Sequence, residues 1–222
     1  MNLRQRLDAV EERIQAAAQR AGRTRSAITL IAVTKKFSSD IVHEAHALGL
    51  RVFGENYVQE FAQKQPGLSG LTDAQFHLIG HLQSNKARQA ADLFQVIETV
   101  DSEKLAQRLN ETGKRLEVMI EAKLSPEQSK AGAAPEELPE LIQAIRSCPN
   151  LELTGLMTMP PWSTDPETTR PYFRRLADLA RRYQLPKLSM GMSNDLEAAI
   201  EEGATHVRVG TALFGPRPKP DR

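Results

Sequence analysis

Apolar and polar positions along this chain follow two alternating rhythms. Leu3, Leu7, Val10, Ile14 and Ala18 recur at spacings of three and four, which gathers them on one face of a helix. Asn2 with Gln5 forms a capping-box pattern at its start and Gly22 offers a stop, so the spacing predicts a leading helix over about 2–21. The second rhythm begins at Thr29-Leu30-Ile31-Ala32-Val33-Thr34, an apolar run framed by threonines. Similar runs lie at 51–54, 75–79, 95–99, 116–122, 151–157, 187–190 and 206–209. Apolar runs without clean polar alternation suit strands covered on both faces, as in parallel sheets. Helical patterns separate them at about 39–48, 56–65, 84–92, 102–112, 135–146, 171–183 and 194–202.

Eight strands with a helix between each consecutive pair define an α/β chain. Such an alternation builds either an open, doubly wound sheet or a closed barrel. Eight units in 222 residues, after one extra helix, favour a (β/α)8 TIM barrel near the small end of its size range. We expect a single domain over 1–222: the N-terminal helix, a barrel over about 28–215, and a flexible tail at 216–222 rich in proline and charge. The Pro-, Ser- and Thr-rich stretch from Met159 to Pro171 reads as an exposed loop after strand six.

Composition narrows the function classes. Lys plus Arg is 29 and Asp plus Glu is 28, without the basic excess of a nucleic-acid binder. The one cysteine, Cys148, leaves no internal disulfide framework and no Cys-cluster metal site, and fits a reducing, cytoplasmic compartment; it is given no function. Met1 to Val10 carries three charges and no apolar core, unlike a signal peptide. No stretch approaches the roughly 20 apolar residues of a spanning helix, so no membrane partner is expected.

Barrels place their chemistry on the loops that follow the strands. Here those ends are polar and glycine-rich: Thr34-Lys35-Lys36, Gly54-Glu55-Asn56-Tyr57, Gly80-His81-Leu82-Gln83-Ser84-Asn85, Gly191-Met192-Ser193-Asn194 and Arg208-Val209-Gly210-Thr211. Ser193-Asn194-Asp195 is expected to open a helix after strand seven with Ser193 as its N-cap. Unpaired N–H groups at a helix start bind anions, and a glycine such as Gly210 lets amides approach a ligand closely. Together these loops suggest a phosphate site. Barrel closure would set strand eight, and so this site, beside the lysines that end strand one. A desolvated lysine has a lowered pKa and favours Schiff-base chemistry. Strand alternation sends Lys35 and Lys36 to opposite sides, and periodicity does not choose between them. A ligand with a phosphate at one end and an aldehyde at the other fits: pyridoxal 5′-phosphate (PLP), or a sugar phosphate forming an imine. Asn56, His81, Gln83 and Asn85 are candidates for the mouth, and Met157, Met159, Met190 and Met192 for an adaptable apolar wall. His77, within strand three, reads as a hydrogen-bonded core histidine.

These blocks carry a resemblance. Thr29-Leu30-Ile31-Ala32-Val33-Thr34-Lys35, Phe53-Gly54-Glu55-Asn56-Tyr57-Val58-Gln59-Glu60, and Phe76-His77-Leu78-Ile79-Gly80-His81-Leu82-Gln83-Ser84-Asn85-Lys86 are similar to segments of the pyridoxal phosphate homeostasis protein family. So are Gly155-Leu156-Met157-Thr158-Met159, Leu188-Ser189-Met190-Gly191-Met192-Ser193, and Val207-Arg208-Val209-Gly210-Thr211-Ala212-Leu213-Phe214-Gly215. Thr34 stands where that family often has Ser, and Lys36-Phe37 departs from its usual continuation.

The resemblance implies a barrel similar to the N-terminal domain of alanine racemase. It implies PLP held as an internal aldimine on Lys35 rather than Lys36, and a role in intracellular PLP and vitamin B6 homeostasis as carrier or buffer. Asn56 is expected to touch the cofactor. Ser193 and the amides around Met192, Gly210 and Thr211 are expected to hold the phosphate. Arg208 is expected near the pyridine nitrogen, or alternatively at the phosphate. Arginine cannot accept a proton, which suits a carrier or racemase-like chemistry and argues against transaminase-like chemistry. The alternative reading, an amino-acid racemase, needs a second base opposite the lysine, and Tyr57, Tyr172 and Tyr183 supply no evident one. The implied partners are PLP and the PLP-dependent apo-enzymes that could receive it, and the implied state is a monomer.

Overall fold

The computed structural model describes residues 1–125 and 131–216. Helix α1 (Leu3–Arg20) opens on the expected capping box: the Asn2 side chain accepts from the Gln5 N–H, and the Gln5 side chain accepts from the Asn2 N–H. The strands are β1 (Thr29–Val33), β2 (Val52–Glu55), β3 (Gln75–Leu78), β4 (Val96–Val100), β5 (Leu116–Glu121), β6 (Leu151–Met157), β7 (Lys187–Ser189) and β8 (His206–Val209). The helices between them are α2 (Ser39–Ala47), α3 (Val58–Lys64), α4 (Ala87–Leu93), α5 (Glu103–Asn110), α6 (Leu138–Arg146), α7 (Arg170–Tyr183) and α8 (Leu196–Glu201). A further short helix, α9 (Thr211–Phe214), follows β8.

Each strand pairs in parallel with the next, and β8 pairs with β1 to close the barrel. The closing register sets Thr29 opposite His206 and Ile31 opposite Arg208. Period-two alternation then divides the side chains. Leu30, Ala32, Val207 and Val209 join the apolar layer between strands and helices. Arg208 turns to the other side, inward. Helix α1 stands outside the repeat and packs its buried face, Leu3 to Ala18, against α8 and α9.

The interior departs from the usual barrel filling of aliphatic layers. His77, Glu98, Ser189, His206 and Arg208 are all buried there. The expected eight strands are present, and the leading helix ends one residue short of its expected end. Two differences stand out. The N-terminal part of the segment at 84–92 is a 3₁₀ turn, Ser84–Lys86, before α4 begins. Helix α9 has four residues, too few to leave a periodic signal. Of the expected tail, 217–222 lies outside the described residues, and Pro216 is exposed. Among the described residues no helix is long and apolar enough to cross a membrane.

Candidate ligand-binding site

A cavity of about 410 Å³ opens at the carboxyl ends of the strands, within the size range of small-molecule sites. It is lined by all seven residues expected from the resemblance to hold the cofactor: Lys35, Asn56, Met192, Ser193, Arg208, Gly210 and Thr211. Val33, Phe37, Ile79, Met159 and Trp162 add apolar wall. His81, Gln83 and Asn85 do not belong to this lining. His81 is exposed and faces Asp101 at 3.4 Å, and Asn85 borders a separate surface groove beside Arg88 and Lys104. Of the four methionines, Met159 and Met192 line the cavity, whereas Met157 and Met190 are fully buried in packing.

The end of β1 is fixed by a buried cluster. Thr34 Oγ1 donates to Glu55 Oε1 at 2.8 Å, and Lys64 Nζ donates to the same oxygen at 2.6 Å and to the Thr34 carbonyl at 3.0 Å. Burial raises the Glu55 pKa and outweighs the opposing pull of Lys64. This cluster ties β1 to β2 just below Lys35. The structure also separates the two lysines. Lys35 lines the cavity, while Lys36 is exposed, adopts a left-handed backbone (φ 67°) and gives its N–H to Glu60 Oε1.

Asn56 leaves its Oδ1 buried without a hydrogen-bond partner. Such a group costs roughly 1–3 kcal/mol unless something satisfies it. Its backbone is held by Gly80, where any Cβ would fall 2.3 Å from the Asn56 carbonyl oxygen.

The anion-binding loops differ from expectation in one respect. Ser193 is not the N-cap of α8. Asp195 holds that position, and its Oδ1 accepts from the Met192 N–H at 2.7 Å. The turn needs Gly191 at φ 88°, which displaces the helix start by two residues. Ser193 instead joins two loops, its Oγ accepting from the Ala212 N–H at 3.2 Å in α9.

Arg208 is buried at the cavity floor. Its Nη1 donates to Ser189 Oγ at 2.8 Å and its Nη2 to the Thr158 carbonyl at 2.9 Å. Ser189 Oγ donates in turn to Glu98 Oε2, whose other oxygen accepts from His77 Nδ1 at 2.6 Å. Burial opposes ionisation of Glu98, yet the hydrogen bond and charge of His77 and the charge of Arg208 bring it down to about 2. His77 is thus a core histidine bonded at one nitrogen, while its Nε2 is buried without a partner. Sequence reading missed Glu98, Ser189, Glu55 and Lys64. For the two carboxylates a signal was present, an acid within or ending an apolar strand, such as Glu98 in Val96-Ile97-Glu98-Thr99-Val100.

A closed eight-stranded barrel, with a lysine after β1 and polar loops after β7 and β8, defines the class. The chain matches the family described as alanine racemase, N-terminal domain, over residues 5–218. It is 42% identical over 227 residues to the pyridoxal phosphate homeostasis protein of Aquifex aeolicus, covering 98% of this chain and 99% of that one. Against the same-named protein of Pseudomonas aeruginosa it is 48% identical over 214 residues, covering 94% and 93%. The solved structure of PipY from Synechococcus elongatus, described with PLP bound, is 37% identical and superposes with a TM-score of 0.83 over 96% of this chain and 100% of that one. The chain belongs to the pyridoxal phosphate homeostasis protein family. Alanine racemase from Corynebacterium glutamicum, at 22% identity and a TM-score of 0.69 over 97% of this chain and 62% of that one, shares the barrel fold.

Proposed function

We propose that this chain binds PLP covalently through Lys35 and acts in PLP homeostasis as a cytoplasmic, monomeric carrier or buffer. The observation that carries this reading is the convergence on one cavity of Lys35, the partnerless Asn56 Oδ1 and the Ser193, Gly210 and Thr211 loops. The residues fit the group. Asn56 Oδ1 awaits a donor, Lys35 supplies an amine, and amides and a hydroxyl around Ser193 and Thr211 suit a phosphate. When bound, PLP supplies an aldehyde carbon that an amine can hold covalently and reversibly. Arg208 offers only donors to the cavity and cannot take up a proton, so it favours holding the ring over withdrawing electrons through it.

The carrier reading is supported by where the tyrosines sit. A two-base racemase needs a second proton-transfer group opposite the lysine. Tyr57 is 49% exposed, Tyr172 and Tyr183 lie on α7, and none of the three lines the cavity. Release of the ligand would then serve PLP-dependent apo-enzymes.

The test is the absorbance spectrum of protein mixed with PLP, followed by borohydride reduction and peptide mass mapping. A band near the visible edge that reduction removes, with a pyridoxyl adduct on Lys35, is the expected result. An adduct on Lys36 would move the attachment point. Neither band nor adduct at saturating PLP would sink the cofactor reading and leave sugar-phosphate imine chemistry.

A further inference from the structure

The polar interior of the barrel calls for an account beyond ligand contact. Glu98 on β4, His77 on β3 and Ser189 on β7 are all buried, and none of them lines the cavity. A buried ion pair is weak as a source of stability, because desolvating the charges offsets their attraction. An aliphatic layer would fill the same space without that cost. What these side chains share is a single line of hydrogen bonds that ends on Arg208, which does line the cavity.

We propose that Glu98 is the positioning residue for Arg208: through Ser189, and braced from behind by His77, it fixes the guanidinium at the cavity floor and offsets its charge toward a bound ligand. The proposal rests on the PLP-binding reading.

Three relationships support it. The Arg208 fork is engaged on both arms, by Ser189 Oγ and by the Thr158 carbonyl, so its plane is set by two partners on β7 and just past β6. An arginine side chain has many rotamers to lose, and without those partners the planar group would be free to tilt. Ser189 Oγ accepts from Arg208 and must send its own proton elsewhere. Glu98 Oε2 receives it, which orients the hydroxyl. Glu98 is itself oriented, because its second oxygen is taken by His77 Nδ1.

The consequence is electrostatic as well as geometric. With Glu98 ionised, the floor presents a directed set of donors with its positive charge largely offset. Glu121 at the end of β5 and Asp195 after β7 also act on Arg208, and His206 on β8 acts on Glu98. Glu98 is the one among them linked to the guanidinium through a hydrogen-bonded hydroxyl.

The experiment loads the full-length protein with PLP and titrates its visible band against pH. Wild type is compared with Glu98→Gln, which keeps the shape and removes the charge, and Glu98→Asp, which keeps the charge one methylene short. An uncompensated guanidinium disfavours a protonated imine nearby. The apparent pKa of the band should fall by about one unit in Glu98→Gln, the size expected for one unit charge at ~10 Å through an effective dielectric of ~20. Glu98→Asp should restore part of it. Ser189→Ala, which cuts the link with a smaller change, should shift the titration in the same direction and carries the test if Glu98→Gln does not fold. A lower melting temperature with a wild-type titration in both variants would overturn the proposal and leave Glu98 a purely structural residue. Absence of any band in wild type would instead defeat the underlying PLP reading.

Discussion

Arg13 on the outer helix α1 donates through Nη2 to the carbonyl oxygen of Ser193 at 2.9 Å, across 180 residues of sequence. The same guanidinium grips Glu197 of α8 with Nε at 2.6 Å and Nη2 at 2.8 Å. The helix that precedes the barrel thus steadies the loop after β7, and Ser193 passes that hold to α9. Arg13→Ala should weaken PLP binding several-fold in a spectroscopic titration while Lys35 still forms its adduct. Because both partners are about a third exposed, the stability loss should stay below ~1 kcal/mol. Arg13→Lys should recover little, since an ammonium cannot reproduce the fork. Wild-type affinity in Arg13→Ala would show that the loop keeps its shape unaided.

Gly80 is constrained by space. A methyl group there would meet the Asn56 carbonyl oxygen at 2.3 Å and its Cα at 2.7 Å. Gly80→Ala should cost about 1–3 kcal/mol, the usual range for overpacking, and weaken PLP binding by displacing Asn56. Gly70→Ala, where nothing lies within 4 Å, is the matched control. Equal melting temperatures for the two variants would contradict this account.

Glu121 makes stability depend on pH. Burial raises its carboxyl from 4.5 to about 7, against the pull of Arg208, and Oε2 has no partner. The native state therefore keeps a proton that the unfolded chain has released, and stability declines as pH rises from 4.5 to about 7 before levelling off. Glu121→Gln removes the titration. Its advantage over wild type in urea unfolding should be small near pH 4 and reach about 3 kcal/mol by pH 8. A gap that does not grow with pH would mean that the carboxyl is ionised at neutral pH.

His206 acts at the acid end. Burial lowers its pKa from 6.5 to about 4, outweighing the attraction of Glu98. The folded protein holds the ring neutral while the unfolded chain takes up a proton, so stability is lost as pH falls from 6.5 toward 4. His206→Gln should flatten that part of the profile. An unchanged slope between those pH values would assign the acid loss to other groups.

The strands were legible because strands enclosed on both faces carry runs of apolar residues, as in Leu30 to Val33 and Val96 to Ile97. The site was legible because its residues cluster just after those runs. Three features escaped for different reasons. Ser193 mimics an N-cap, whereas the cap is Asp195, whose carboxylate takes the Met192 N–H in the turn that follows Gly191. Trp162, 74% exposed, joins the cavity wall from a loop whose path no period encodes. Glu98 interrupts an apolar strand, but its meaning depends on Arg208 arriving from β8, a pairing that local pattern does not contain.

The order in which these pieces leave the ribosome has its own consequence. His77, Glu98, Thr158 and Ser189 emerge before Arg208, which arrives on the strand that must pair with both β7 and β1. Until then the growing chain has the acceptors for that guanidinium and no guanidinium, and the loop after β8 that completes the cavity does not exist. Completion of the cavity waits on the final strand, which brings both the guanidinium and the loop that closes the lining.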